Sequence, residues 1–106
     1  MAKGDVVLLS FPFTDLSGSK LRPGVVLAES SLDLTVCFMT TQLFWKEEND
    51  LILSPNIHSG IKKESVLRIS KIATLDKDFV KGLIGRLNEM ELEQLDKKLK
   101  LVFKLK

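Results

Sequence analysis

Apolar positions in this chain come in short blocks. Val6 to Leu9 follow Asp5 and run on to Phe11, with apolar residues on both alternating parities, so the pattern predicts a strand over Asp5–Phe11 covered on both faces. Gly24–Ala28 (GVVLA) is a second such block and Thr35–Thr41 (TVCFMTT) a third. Leu51–Leu53 is a short fourth strand, closed by Ser54-Pro55. Ser65–Ile69 (SVLRI) is a fifth, with Ile72–Leu75 as a candidate continuation. Blocks this short, broken by turn signals this often, predict a small barrel or a strongly curved sheet.

The pattern changes near the end. Asn88 is an N-cap candidate with Glu91 at the third helical position. Leu92, Leu95, Leu99 and Val102 then recur at intervals of three and four, which makes one helical stripe. The helix is expected from about Glu89 to about Phe103, with its stripe packed on the sheet or on a partner. No repeat, linker or low-complexity stretch interrupts the chain. The fold class is therefore mainly β: a compact barrel closed by a C-terminal α-helix, in one domain over residues 1–106.

Composition adds limits rather than a function. A chain of 106 residues is long enough to bury a core without staples. No segment has the length of apolar sequence that a membrane span needs, and the opening MAKGDVV reads as a strand start rather than a signal peptide. The single cysteine, Cys37, sits in an apolar run, which favours a reducing, cytoplasmic setting. A net charge of +2 permits a polyanion partner without arguing for one. The lysine-rich end KKLKLVFKLK reads as a solvated helix terminus, because its leucines keep helical spacing and lysines there complement the helix dipole.

Several kinds of chemistry are excluded or unsupported. One histidine, His58, rules out two-histidine acid–base catalysis within one chain, and a lone loop histidine is more often simply exposed. Close-spaced Cys and His ligands for zinc are absent, as are the glycine-rich phosphate loops and the GxSxG nucleophile elbow. Asp5, Asp15, Asp33, Glu47, Glu48 and Asp50 show no spacing that compels a magnesium site, so no metal or cofactor is expected. RNA, however, carries its own nucleophile in the 2′-hydroxyl. Its cleavage by internal attack needs donors for the negative phosphorane and a group to handle protons. An arginine fork and a threonine hydroxyl suit the first task.

Three blocks then carry a family resemblance. GDVVLLSFPFTDLSGSKLRPGVVLA resembles the N-terminal signature of the MazF/PemK toxins of bacterial type II toxin–antitoxin systems. VCFMTTQL is similar to that family's third strand ending in Thr-x-Gln, and ESVLRISKIATLDK to its fifth strand and following turn. The resemblance covers essentially the whole chain, in order and in register. It implies an SH3-like barrel of the CcdB/Kid/MazF type with a C-terminal helix, as a homodimer. It implies a metal-independent, sequence-specific endoribonuclease that cuts single-stranded RNA, chiefly mRNA, leaving 2′,3′-cyclic phosphate and 5′-hydroxyl ends. It also implies a cognate antitoxin that lays an acidic tail across the RNA groove.

The resemblance assigns residues. Arg22 is the arginine before the proline and Thr40 the threonine of Thr-x-Gln; both are expected to be catalytic. Arg22 stays protonated, so its expected role is electrostatic stabilisation of the transition state, with general acid second. Pro23 restricts Arg22 to extended backbone. Gln42 is expected to touch RNA, and Thr41, on the face opposite Thr40, stands in for Thr40 should the strand register slip by one. Ser17, Gly18, Ser19 and Lys20 form a loop that is expected to meet RNA, and Arg68, on the fifth strand, is expected to line the groove or to act between subunits. Phe44 and Trp45, read as neighbours pointing to opposite faces, are expected at a partner interface or in the core, one of them free to stack a base. The first loop is shorter than in the best-known members, with Ser19-Lys20-Leu21 where they carry extra glycines and an acidic residue. Two functions therefore stay open: an RNA-cutting toxin, and a non-catalytic binding module on the same barrel. The gyrase-directed CcdB branch is disfavoured by the Arg-Pro and Thr-x-Gln blocks.

Overall fold

The computed structural model describes residues 1–11 and 20–106. The strands are β1 (Asp5–Phe11), β2 (Lys20–Glu29), β3 (Asp33–Thr40), β4 (Leu51–Leu53), β5 (Ser65–Asp76) and β6 (Val80–Arg86), followed by α1 (Glu89–Phe103). They form a six-stranded sheet in the order β4-β5-β3-β2-β1-β6, with every pairing antiparallel. Among the described residues no ladder joins β4 to β6. The turn after β4 reaches across instead: the Arg86 N–H donates to the His58 carbonyl at 2.8 Å. The backbones touch so closely that a Cβ on Gly85 would lie 2.4 Å from that oxygen. The ladders thus give a six-stranded sheet with its two ends linked by a loop, where a closed barrel was expected.

The split of β1 between two cores explains its double apolar parity. Val6 joins Val25, Cys37, Met39, Leu67 and Ile69 on one side, whereas Val7 and Leu9 join Val26, Leu34, Val36 and Leu75 on the other. Helix α1 closes the first core. Leu95 is fully buried, and Leu92, Leu99 and Val102 pack against the same cluster. The expected cap is present in both directions: Asn88 Oδ1 accepts from the Glu91 N–H at 2.8 Å, and Glu91 Oε1 accepts from the Asn88 N–H at 2.9 Å. Among the described residues no helix is long and apolar enough to cross a membrane.

Two strands depart from the sequence pattern. β6 was not expected, because VKGLIGR carries two glycines and a lysine and no apolar block. It forms as a half-covered edge strand paired to β1. β2 begins at Lys20 rather than Gly24, passing through Pro23. The ladder with β3 ends at Gly24↔Phe38, so Pro23 has a hydrogen-bonded neighbour on the β1 side only, a position that proline tolerates.

Candidate functional site

The parting of β2 from β3 opens the site. β2 continues beside β1 to Lys20, and β3 continues beside β5 to the pair Thr40↔Val66. Between the diverging ends lies an opening of about 390 Å³. Arg22 comes to it from β2, Phe38, Met39 and Thr40 from β3, and Gln42 and Trp45 from the segment beyond. Arg22 is exposed and fixed in the strand by its pairing opposite Leu9, with Pro23 directly behind it.

β5 supplies the remaining wall through a large irregularity. Its register with β3 jumps from Cys37↔Ile72 to Met39↔Leu67, so the stretch Arg68 to Lys71 stands opposite Phe38 alone. Extra residues in one strand re-aim side chains. Here both Arg68 and Lys71 line the opening. Lys71 was not foreseen from the sequence: ISKIA reads as a continuous strand with an ordinary exposed lysine, and the length of the irregularity is set by pairing with a distant strand.

Arg68 is held tightly. Its side chain is only 16% exposed, its Nη2 donates to Glu47 Oε1 at 2.9 Å, and its Nε lies 3.8 Å from Asp50 Oδ2. Asp50 is itself buried and organises the turn beneath. Its Oδ1 accepts from the Ile69 N–H at 2.9 Å and its Oδ2 from the Glu47 N–H at 3.0 Å. The guanidinium carbon sits 5.7 Å from the centre of the Trp45 ring, within cation–π range.

Thr40 and Thr41 go to opposite sides. Thr40 Oγ1 accepts from the Gln42 N–H at 3.1 Å, which fixes the end of β3 and leaves its own O–H to donate into the opening. Thr41 lines a separate, apolar cavity of about 330 Å³ with Val6, Leu8, Pro23, Met39, Ile61 and Ile84. The aromatic pair needs a correction. Leu43–Trp45 is a single 3-10 turn, not a strand, so Phe44 and Trp45 do not alternate between faces. Both are exposed, at 75% and 53%, with ring centres 5.2 Å apart, and neither enters the core of this chain. Trp45 lines the opening and Phe44 does not. Ser17, Gly18 and Ser19 lie outside the described residues, and Lys20 is described only by its backbone pairing with Phe11.

Two other candidates stand aside. His58 is exposed in the turn against β6 and does not line the opening. Cys37 is buried with its Sγ 2.9 Å from the Arg68 carbonyl, and burial pushes its thiol up to about 12, with the charge of Asp50 adding to the effect. It is therefore no nucleophile at neutral pH. Among the described residues no group of three His, Cys, Asp or Glu side chains is placed to hold a metal ion. What remains is an open site with three cations, one hydroxyl and one amide, suited to an extended anion.

Comparison with known proteins agrees with this picture. Residues 2–103 match the family described as PemK-like, MazF-like toxin of type II toxin-antitoxin system. Among curated proteins, none is similar in sequence to this chain. Among solved structures, a chain of MazE–MazF from Deinococcus radiodurans superimposes with a TM-score of 0.79 at 17% identity, covering 100% of this chain and 97% of that one. An endoribonuclease in complex with its cognate antitoxin, from a mycobacterial species, gives 0.75 at 16% identity, with 100% and 97% covered. The toxin MazF-mt6 of Mycobacterium tuberculosis gives 0.71 at 17% identity, with 94% and 98% covered. Identities this low carry the fold, and the match over 2–103 carries the family: the chain belongs to the PemK-like, MazF-like toxins of type II toxin–antitoxin systems.

Proposed function

We propose that this toxin is a metal-independent, sequence-specific endoribonuclease acting on single-stranded RNA, chiefly mRNA, in the opening between β2 and β3. The observation that carries the reading is the convergence of Arg22, Thr40, Gln42, Arg68 and Lys71, from three separate parts of the chain, on one cavity. The 2′-hydroxyl of the RNA gives its proton to water and attacks the adjacent phosphorus, and the bond to the 5′-oxygen of the next nucleotide breaks. The products are a 2′,3′-cyclic phosphate and a 5′-hydroxyl, so the protein need supply no nucleophile and no metal. Arg22 stabilises the developing phosphorane charge and stands as general acid to the leaving oxygen. The Thr40 hydroxyl donates to a phosphoryl oxygen, Gln42 and Lys71 hold the strand, and the face of Trp45 stacks a base.

The partners follow the same logic. An antitoxin with an acidic tail would occupy the cationic opening in place of RNA, as the antitoxin complexes of the structural neighbours suggest. A second copy of the chain would cover the apolar side, where Ile84, 37% exposed, lines the Thr41 cavity and the adjacent Leu83 is 65% exposed. The sheet with its linked ends would serve as the SH3-like barrel of this cytoplasmic homodimer.

The deciding experiment is cleavage of a long, varied RNA in excess EDTA by the wild type, Arg22→Ala and Thr40→Ala, with the fragment ends analysed chemically. Cleavage by the wild type alone, with cyclic-phosphate ends, is expected. A folded wild type that cuts nothing, or a fully active Arg22→Ala, would sink the nuclease reading and leave the non-catalytic binding module.

A further inference from the structure

One side chain competes with the ligand that the site is built to take. Arg68 is the most buried of the three cations, yet its charge is already shared between two carboxylates. The two differ. Asp50 has a side-chain exposure of 3%, is anchored by two backbone N–H groups, and cannot leave without stranding those donors. Glu47 has a side-chain exposure of 64%, and among the described residues its carboxylate bonds only the Nη2 of Arg68. Its backbone is pinned by Asp50, which holds residue 47 beside Arg68. Arg68 Nε is buried without a hydrogen-bond acceptor among the described residues. Nη2, bonded to the exposed Glu47, is the edge of this guanidinium whose partner can leave.

We infer that Glu47 is a displaceable gate on Arg68: its carboxylate occupies the position of an RNA phosphate, and RNA binds by exchanging one for the other while Asp50 stays. The inference rests on the RNA-cutting reading and adds to it a residue that sets affinity. An exposed carboxylate on a flexible stem is a weak partner. A phosphate offers the planar fork two oxygens at once and replaces it. Stray single phosphates gain little from the exchange, whereas a strand that also reaches Arg22, Lys71 and Trp45 gains enough to open the gate. Glu47 in this way sets a threshold against non-specific anions. Trp45 holds the guanidinium over its ring, with the central carbon 5.7 Å from the ring centre.

The test uses a 2′-deoxy-substituted oligonucleotide that cannot be cut, followed by fluorescence anisotropy, alongside cleavage kinetics on the matching RNA. Glu47→Gln is expected to tighten binding about two- to fivefold, the range of an exposed ion pair. KM is expected to fall by the same factor with kcat unchanged. Glu48→Gln is the charge control: Glu48 is exposed beside Glu47 and makes no ion pair among the described residues, so its removal should change binding by clearly less. In an Arg68→Ala background the Glu47→Gln gain should vanish. Equal gains from Glu47→Gln and Glu48→Gln, no gain from Glu47→Gln, or a gain that survives Arg68→Ala each overturn the gate while leaving the nuclease intact. A wild type that neither binds nor cuts RNA overturns both readings. Circular dichroism of each variant separates loss of binding from loss of fold.

Discussion

Thr40 and Thr41 are neighbours in sequence and face two cavities of similar size, about 390 Å³ and 330 Å³. The Thr40 cavity gathers Arg22, Arg68 and Lys71, a hydroxyl and an amide. The Thr41 cavity is walled by Val6, Leu8, Pro23, Met39, Ile61 and Ile84, with Lys62 and Lys63 coming from the loop before β5. Volume therefore says nothing about which side does chemistry. The difference comes from strand ends. On one side β2 and β3 diverge and β5 bulges opposite Phe38, which brings Arg22, Arg68 and Lys71 to the gap. On the other side the strands and the turn at Gly60 close over apolar residues, a surface suited to another protein rather than to a polyanion.

The largest effect expected from breaking this contrast is on the cationic side. Arg22→Ala should lower RNA cleavage by roughly a hundred- to a thousandfold, the scale for loss of one transition-state donor, with the melting temperature nearly unchanged. Its counterpart on the apolar side is a stability defect. Gly60 has φ of +75°, and a Cβ there would lie 2.6 Å from the Ile84 carbonyl oxygen. Gly60→Ala should therefore cost about 2–4 kcal/mol from left-handed strain and backbone overlap together. Urea unfolding measures this, and an unshifted midpoint would show that the turn does not close against β6 as described.

The two threonines sharpen the contrast at smaller magnitude. Thr40→Val should reduce cleavage about tenfold through loss of one hydroxyl donor, whereas Thr41→Val should stay within about twofold of wild type. Equal losses would mean that the register at the end of β3 is not what separates the sites. The smallest effect is silent near neutrality. Cys37 keeps its proton in the folded chain up to about 12, above its ordinary value of 9.0, so folding retains a proton that the unfolded chain releases. Stability from this group is complete below about pH 9 and declines between 9 and 12. Thermal unfolding of wild type and Cys37→Ala should run parallel from pH 6 to 8, with wild type falling faster above 9.

The sequence alone settled whatever depended on local chemistry or on one continuous pattern. Helix α1 is the clearest case, since Asn88, Glu91 and the stripe through Leu95 act within one segment and its limits came out at Glu89 and Phe103. β1 and β4 are likewise bounded where their apolar blocks and turn residues predict. The blocks around Arg22-Pro23 and Thr40 also pointed to the family. Only the tertiary structure decided the rest. β6 has too little apolar pattern to be seen until β1 pairs with it, and the 3-10 turn that exposes both Phe44 and Trp45 is chosen by how β3 ends. Lys71 joins Arg68 because β5 must absorb extra residues opposite Phe38. Glu47 reaches Arg68 because Asp50 ties their two segments together. A residue pattern records what each position prefers, whereas a register shift or an ion pair between distant segments exists only once those segments are side by side.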